Sequence, residues 1–453
     1  MPLTITETLA AHVAAARPDR IPEAVTQATR QFVLDTVAVA WAGAAAPGGR
    51  ALRDQIAADG GTPEATLWAW GGRFPAAAAA FVNGVSAAAL DYDSVYEAGS
   101  VHADVVVVPA AWAMAERTGA SGAELIAAVA LGTDIACRIG KASRKNSGWF
   151  YTSLGGVFGA AAACARLLKL DADGIANAMG LALSHAGGTQ QALLEKTDAK
   201  RLQSAFAARS AVFCAQLAAS GMSAPREAFE GTYGYFRKYE DCDAGVLLAR
   251  LGETWENTRS ALKKYPSCTA NHAPVESAIA LAEELEIRPD DVTEVEVTLS
   301  PFSHRLVGGP FEPAANPQVA AQFSIQYSLA CALLRRRLAV ADIGREAVLD
   351  PAVGALTRKV KVVVDESNKG KFAPASLTLA TTRHGRMRCE APHVPGTPEH
   401  PLTAAEHRAK VRDCLGFGPR PLAGDAAAAL IERIENLGSV GDMRRFFDGL
   451  PTF

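Results

Sequence analysis

Asp91, Asp93, His102 and Asp104 fall in one short stretch, between an alanine-rich run and the apolar run that ends at Pro109. An imidazole with carboxylates beside it is a set of groups that moves protons near neutral pH. The same acids also cap turns and break helices, so the stretch reads as a loop that shapes the chain, supplies an acid/base group and a substrate anchor, or does both. A second polar cluster, Lys196, Lys200, Arg201 and Gln203, precedes a long apolar segment that also carries Arg209. Cations at a helix start oppose the helix dipole, which suggests a purpose other than helix stability. Lys200 and Arg201 suit carboxylate binding, and a desolvated lysine serves as a base. The third cluster runs from Lys263 and Lys264 through Tyr265, Pro266, Ser267 and Cys268 to His272. It lies where the chain changes character, and clefts between domains commonly hold small ligands. Nothing local forces Cys268 to a thiolate, so it reads as a neutral thiol.

Other chemistries find little support. Gly155, Gly156 and Gly159 resemble a nucleotide fingerprint only loosely, because their surroundings read as helix rather than as a strand and turn. There is no phosphate-loop motif, no G-x-S-x-G elbow and no His-Glu-x-x-His zinc helix. Asp91, Asp93, His102 and Asp104 include hard-metal ligand types, yet helix breaking accounts for the acids equally simply, and no metal is expected. The eight cysteines are scattered with no C-x-x-C pair, which fits free thiols in a reducing, cytoplasmic setting.

These clusters need a large scaffold. The chain has 453 residues, 49% of them hydrophobic, enough for two or three domains and a substantial core. With 45 Lys and Arg against 48 Asp and Glu, it lacks the basic excess of a nucleic-acid binder. The longest weakly polar stretch, 74–90, is too rich in alanine and glycine to span a membrane, and the first nine residues do not read as a secretory signal.

The first half reads as successive helices. Val25, Ala28, Phe32, Thr36 and Val39 recur at helical spacing after Pro22, and Gly43 is a plausible stop. Ser121 with Glu124 and Thr403 with Glu406 have the spacing of capping boxes. Residues 125–139, 155–168, 174–183 and 205–219 are apolar or rich in Ala and Gly, which suits closely packed helices. Near Tyr265 the pattern changes. A helical run at 274–285 precedes a strand alternating through Val295, Val297 and Leu299. Helix follows at 319–334, then strands through Val360, Val362 and Val364 and through Leu377 and Leu379. The segment 393–401 reads as a linker, and helix returns after it. The expected fold is therefore mainly α with a smaller α/β (α+β) lid domain. Its parts are residues 1–262 (helical), 263–398 (lid) and 399–453 (helices returning to the first part).

The stretches 81–93, 107–110, 120–124, 200–210 and 322–324, with Val101-His102 and with 265–268 plus His272, resemble in this order the MmgE/PrpD family. That family includes 2-methylcitrate dehydratase, cis-aconitate decarboxylase and iminodisuccinate epimerase. The resemblance implies a homodimer with a site between its two domains, no metal and no organic cofactor. By position it implies Asp91, His102, Lys200 and His272 as active-site groups. Ala88, Val95, Phe150 and Gln203 stand where family members often carry other polar residues, and Tyr151 beside Phe150 is a substitute acid.

The function expected from residues and resemblance together is a lyase of dehydratase type. It would take a proton from a small di- or tricarboxylate next to a carboxylate. In this scheme His102 is the base, and Asp91 orients it or holds a substrate hydroxyl. Lys200 and Arg201 bind carboxylate, with Gln203, Ser267 and Cys268 completing the contacts. His272 binds a carboxylate or protonates the departing hydroxyl. The alternatives are epimerisation of an imino- or hydroxydicarboxylate using Tyr151 and Lys200 as opposed bases, decarboxylation of a cis-aconitate-like acid, and binding of a carboxylate without chemistry.

Overall fold

The computed structural model describes residues 2–144, 147–313 and 316–450. Its helical part is built around four long helices, Asp104–Thr118, Gly122–Ala142, Tyr151–Leu167 and Ala199–Ala219. The second starts where the sequence predicts. Ser121 Oγ accepts from Glu124 N at 3.2 Å, and Glu124 Oε2 accepts from Ser121 N at 3.0 Å. Small residues then set the packing distance. Gly132 and Gly159 face each other where two of these helices cross, and the Gly132 carbonyl leaves no room for a methyl on Gly159. The Ala199–Ala219 helix, which carries Lys200 and Arg201 in its first turn, packs against Tyr151–Leu167, Ala76–Ala88 and Asp104–Thr118.

A four-stranded sheet follows. In spatial order it comprises Val360–Val364, Val292–Leu299, Ala375–Thr381 and Gly385–Ala391. The first two strands are parallel, with Val297 opposite Val362, and the remaining pairs are antiparallel. The helix His272–Glu284 lies against the last two strands. The strand Gly385–Ala391 is absent from the sequence expectation. It is an edge strand whose exposed arginines alternate with half-buried Met387 and Cys389, so only one weak apolar row marks it. The run 319–334 is two helices, Pro317–Gln322 and Ile325–Arg335. Ser324 separates them and caps the second, its Oγ accepting from Tyr327 N at 3.2 Å.

The stretch 393–401 folds back on the start of the junction, where Leu262 N donates to Gly396 O at 2.9 Å. The helices Ala404–Leu415 and Gly424–Glu435 then pack on Glu23–Gly43. Thr403 and Glu406 make the second capping box, with Glu406 N 3.2 Å from Thr403 Oγ1. All eight cysteines are unpaired. No helix among the described residues is long and apolar enough to cross a membrane.

Candidate active site

The helix Ala76–Ala88 runs into the loop that holds the first cluster. Asp91 adopts a left-handed backbone, with φ of 50°, which costs an ordinary L-residue roughly 1–2 kcal/mol. Buried partners hold it there. Lys263 Nζ donates to the Asp91 carbonyl at 2.6 Å and to its Oδ2 at 2.8 Å. Lys200 Nζ is paired with the other carboxylate oxygen. Burial alone would raise the Asp91 carboxyl, but Lys200 and Lys263 more than offset it and hold the group far below the usual carboxylate range. Lys200 is the mirror case. Burial would lower it, and Asp91 and Asp93 keep it raised and charged. The two ammoniums, Lys200 and Lys263, are balanced by the two carboxylates, Asp91 and Asp93, and still offer N–H donors to an anionic substrate.

His102 pairs with Asp93. Its Nδ1 lies 2.8 Å from Asp93 Oδ2 and 2.9 Å from the Ser94 carbonyl oxygen. Both are acceptors, so Nδ1 carries a proton, and in the neutral ring this leaves the lone pair on Nε2. Its backbone N–H donates to Thr152 Oγ1 at 3.0 Å, which ties the loop to the start of the Tyr151–Leu167 helix. The sequence reading gave the orienting role to Asp91; the structure gives it to Asp93. Burial opposes ionisation of Asp93 as well, and His102 outweighs it and holds the carboxyl low.

Asp104, behind this pair, differs. Its Oδ2 accepts from Ser94 Oγ at 2.5 Å, and burial, with Asp35 and Asp93 nearby, pushes its pKa up to about 7. The folded state therefore holds a proton that the unfolded chain releases at about pH 4. This contribution to stability is complete below about pH 4 and is lost as pH rises to about 7. Asp104→Asn keeps the acceptor for Ser94 and removes the titration. Its unfolding free energy, followed by urea denaturation from pH 5 to 8, should fall less with pH than that of the wild type. Parallel pH profiles would contradict this.

The junction cluster contributes Lys263 and buried neutral groups. His272 is fully buried, and its Nε2 lies 3.3 Å from the Ser267 carbonyl oxygen. Burial, then Lys263, push it down to about 3, so it is neutral at physiological pH. It therefore neither attracts a carboxylate as a cation nor serves as an imidazolium acid, which corrects the role expected from sequence. Its Nδ1, Ser267 Oγ and Asn271 Oδ1 are buried polar atoms without a protein partner in this structure. Cys268 N donates to Gln322 O at 2.9 Å, and burial pushes the thiol up to about 11. Cys268→Ser should accordingly change turnover by no more than about threefold, well below the loss expected for an acid/base group. Abolished activity with a wild-type melting temperature would reopen a thiol mechanism.

The remaining expected residues are placed as follows. Arg201 Nη2 bonds Asp198 Oδ1 at 2.8 Å and also the Pro47 carbonyl. The two ends of the Gln203 amide both bond the backbone of Thr189, at 2.6 and 3.1 Å, so this side chain anchors the preceding segment. The Tyr151 hydroxyl bonds Glu240, and burial first and that acid second push its pKa up. Tyr151 is thus a phenol, not the ready phenolate that a two-base epimerisation asks of it.

Of the expected residues, Asp91, Lys200 and Arg201 share a cavity whose lining does not include His102, Asp93, Lys263 or His272. Asp91, Lys196, Lys200, Arg201, Gln322 and Phe323 line one enclosed space of about 20 Å³. Gln322 reaches it from the break between two helices, donating from Nε2 to Ala89 O at 3.1 Å, and Lys200 Nζ lies 5.7 Å from the Phe323 ring centre. Lys200, Lys263 and His102 all act on the charge of Asp91, and Lys263 and Asp91 both act on His272. Sequence reasoning missed Asp93 and Lys263 as site groups. Each lay inside a recognised cluster, with nothing to distinguish it from its neighbours.

Residues 7–243 match the MmgE/PrpD N-terminal domain and residues 265–434 the MmgE/PrpD C-terminal domain, so the chain belongs to that family. It is 28% identical to a cis-aconitate decarboxylase of Aspergillus terreus over 447 residues, covering 92% of this chain and 89% of the relative. It is 24% identical to the cis-aconitate decarboxylase of Homo sapiens over 458 residues, covering 97% of this chain and 93% of the relative.

Proposed function

We propose that this protein is a cofactor-independent lyase that removes carbon dioxide from a small, cis-aconitate-like di- or tricarboxylate. The observation that carries the proposal is the Asp91 carboxylate, clamped between Lys200 and Lys263 beside a His102–Asp93 pair. The two ammoniums hold a retained carboxylate of the substrate and stabilise negative charge developing on the carbon next to it. The carboxylate that leaves breaks its C–C bond and departs as carbon dioxide; the released electron pair forms a new double bond to the adjacent alkene carbon, and the former double bond delivers its pair to the carbon next to the retained carboxylate. His102, protonated from solvent at Nε2, returns a proton to carbon, and Asp93 stabilises the imidazolium while it exists.

Decarboxylation is chosen over dehydration because dehydration needs both a base for the C–H and an acid for the departing hydroxide, and buried, neutral His272 cannot share those roles with His102. The likeness to cis-aconitate decarboxylases agrees with this choice. The enclosed space is about the size of a water molecule, so substrate entry requires the wall around Leu193–Asp198 or Val319–Phe323 to move outward. In this reading residues 263–398 act as a lid over the helical part, and the enzyme works as a homodimer in the cytoplasm.

The test is a mass-spectrometric screen of purified protein against cis-aconitate, 2-methylcitrate and related small carboxylates. Loss of carbon dioxide from a cis-aconitate-like acid is expected. Loss of water alone would replace this reading with a dehydratase. Binding with no chemical change across the panel would remove catalysis altogether.

A further inference from the structure

We infer that Lys410, on the C-terminal helix Ala404–Leu415, is a positioning residue that fixes the Asp91–Asp93 loop through the Tyr92 carbonyl. The inference rests on reading that loop as catalytic. Lys410 Nζ donates to the Tyr92 carbonyl at 2.9 Å and sits 4.1 Å from the centre of the Tyr92 ring. It also pairs with Asp35 of the Glu23–Gly43 helix, at 2.7 Å to Oδ1 and 3.0 Å to Oδ2. Asp35 in turn lies 3.2 Å from His407 Nε2. Lys410 and Asp35 are 6% and 1% exposed.

Two consecutive carbonyls, those of Asp91 and Tyr92, are therefore each taken by a buried ammonium from a different part of the chain, Lys263 and Lys410. Docking one helix on another does not demand this. An apolar pair in place of Asp35 and Lys410 would pack the helices as well or better. The tether matches a specific need instead. Asp91 is held in a left-handed conformation, and such geometry persists only where the surroundings over-determine it. The Tyr92 peptide also lies between two working side chains. A shift there moves Asp91 relative to Lys200 and Lys263, and at the same time moves Asp93 relative to His102. Misplacement by about 1 Å is enough to lower a rate by about a hundredfold.

The test compares two double variants. Asp35→Leu with Lys410→Met removes the tether without leaving a buried charge. Asp35→Asn with Lys410→Gln also removes both charges but restores an N–H donor for the Tyr92 carbonyl. The readout is the ¹⁵N-histidine NMR signal of His102, assigned by its loss in His102→Asn, recorded without substrate. In the wild type it should report a proton fixed on Nδ1 by Asp93. The Leu/Met variant should move it toward a mixture of tautomers, and the Asn/Gln variant should restore it. On a turned-over acid, the Leu/Met variant should lose about tenfold or more in kcat with little change in KM, and the Asn/Gln variant should recover most of it.

If the Leu/Met variant does not fold, Asp35→Asn with Lys410→Met is read in its place. An unmoved His102 signal in a folded, tether-free variant overturns the positioning role whatever the turnover. A moved and restored signal in a protein that converts no carboxylate supports the tether and overturns the lyase reading instead.

Discussion

Lys200→Ala is expected to lower kcat/KM by about a hundredfold or more, the scale for losing one acid/base or electrostatic group. The variant removes one of two ammoniums from a buried carboxylate. Asp91 then has Lys263 alone to balance its burial. The site loses one of the two ammoniums that draw in a carboxylate and steady charge on the neighbouring carbon. The fold should survive, because the aliphatic and backbone packing of the Ala199–Ala219 helix is untouched. A second consequence has a definite sign. Asp91 is held below its ordinary range in the folded state, so its ion pairs stabilise the protein above about pH 4, and that stability is lost as pH falls. Lys200→Ala should therefore narrow the stability gap between neutral and acid pH. Steady-state kinetics on the acid found by the screen, with circular dichroism as the folding control, checks the first claim. Unaltered kinetics would take Lys200 out of the site.

His102→Ala should have an effect at least as large, about a hundredfold to ten-thousandfold, because it removes the group assigned to carry the proton. Asp93→Asn is the more discriminating companion. The Asn amide can place an N–H donor against His102 Nδ1, and this favours the tautomer with its proton on Nε2. The neutral ring is a far weaker acid at Nε2 than the imidazolium, and the imidazolium loses its counter-ion. The expected result is a fall in kcat approaching that of His102→Ala, with KM changed much less. If Asp93→Asn keeps wild-type kcat while His102→Ala loses it, the histidine works without its carboxylate and the pair has no catalytic meaning.

What could be read from the chain divides along physical lines. The two capping boxes at Ser121 and Thr403 were legible because a Ser or Thr three residues before a Glu settles its own hydrogen bonds. The strands through Val295, Val360 and Leu377 were legible because burial of one face imposes a period of two. The strand Gly385–Ala391 was not, since an edge with arginines on one face and two half-buried residues on the other resembles a polar loop. The break at Ser324 was hidden because Gln322 and Phe323 are turned toward the site by distant contacts, not by local propensity.

The same division holds within the site. All three polar clusters were visible in the sequence, and their meeting place was implied by the resemblance. The partnerships were not visible. Asp91 and Asp93 sit two apart in a loop of no fixed period, so which faces a lysine and which a histidine depends on the left-handed turn at Asp91. Lys263 and Lys264 are adjacent and alike, yet one is buried against Asp91 and the other bonds Glu276 and Glu406 at the margin. His272 looks like an acid/base group in sequence, and only its complete burial shows that it stays neutral.

The most direct measurement is proton NMR in D₂O with cis-aconitate or whichever acid the screen identifies, comparing wild type with His102→Ala. Wild-type product should carry a single solvent deuteron on the carbon next to a retained carboxylate, at the far end of the double bond that shifts as carbon dioxide departs, and the variant should form that product at least about a hundredfold more slowly. Product without solvent deuterium, or undiminished formation by the variant, would contradict a carbanion held by the lysines and quenched by the histidine.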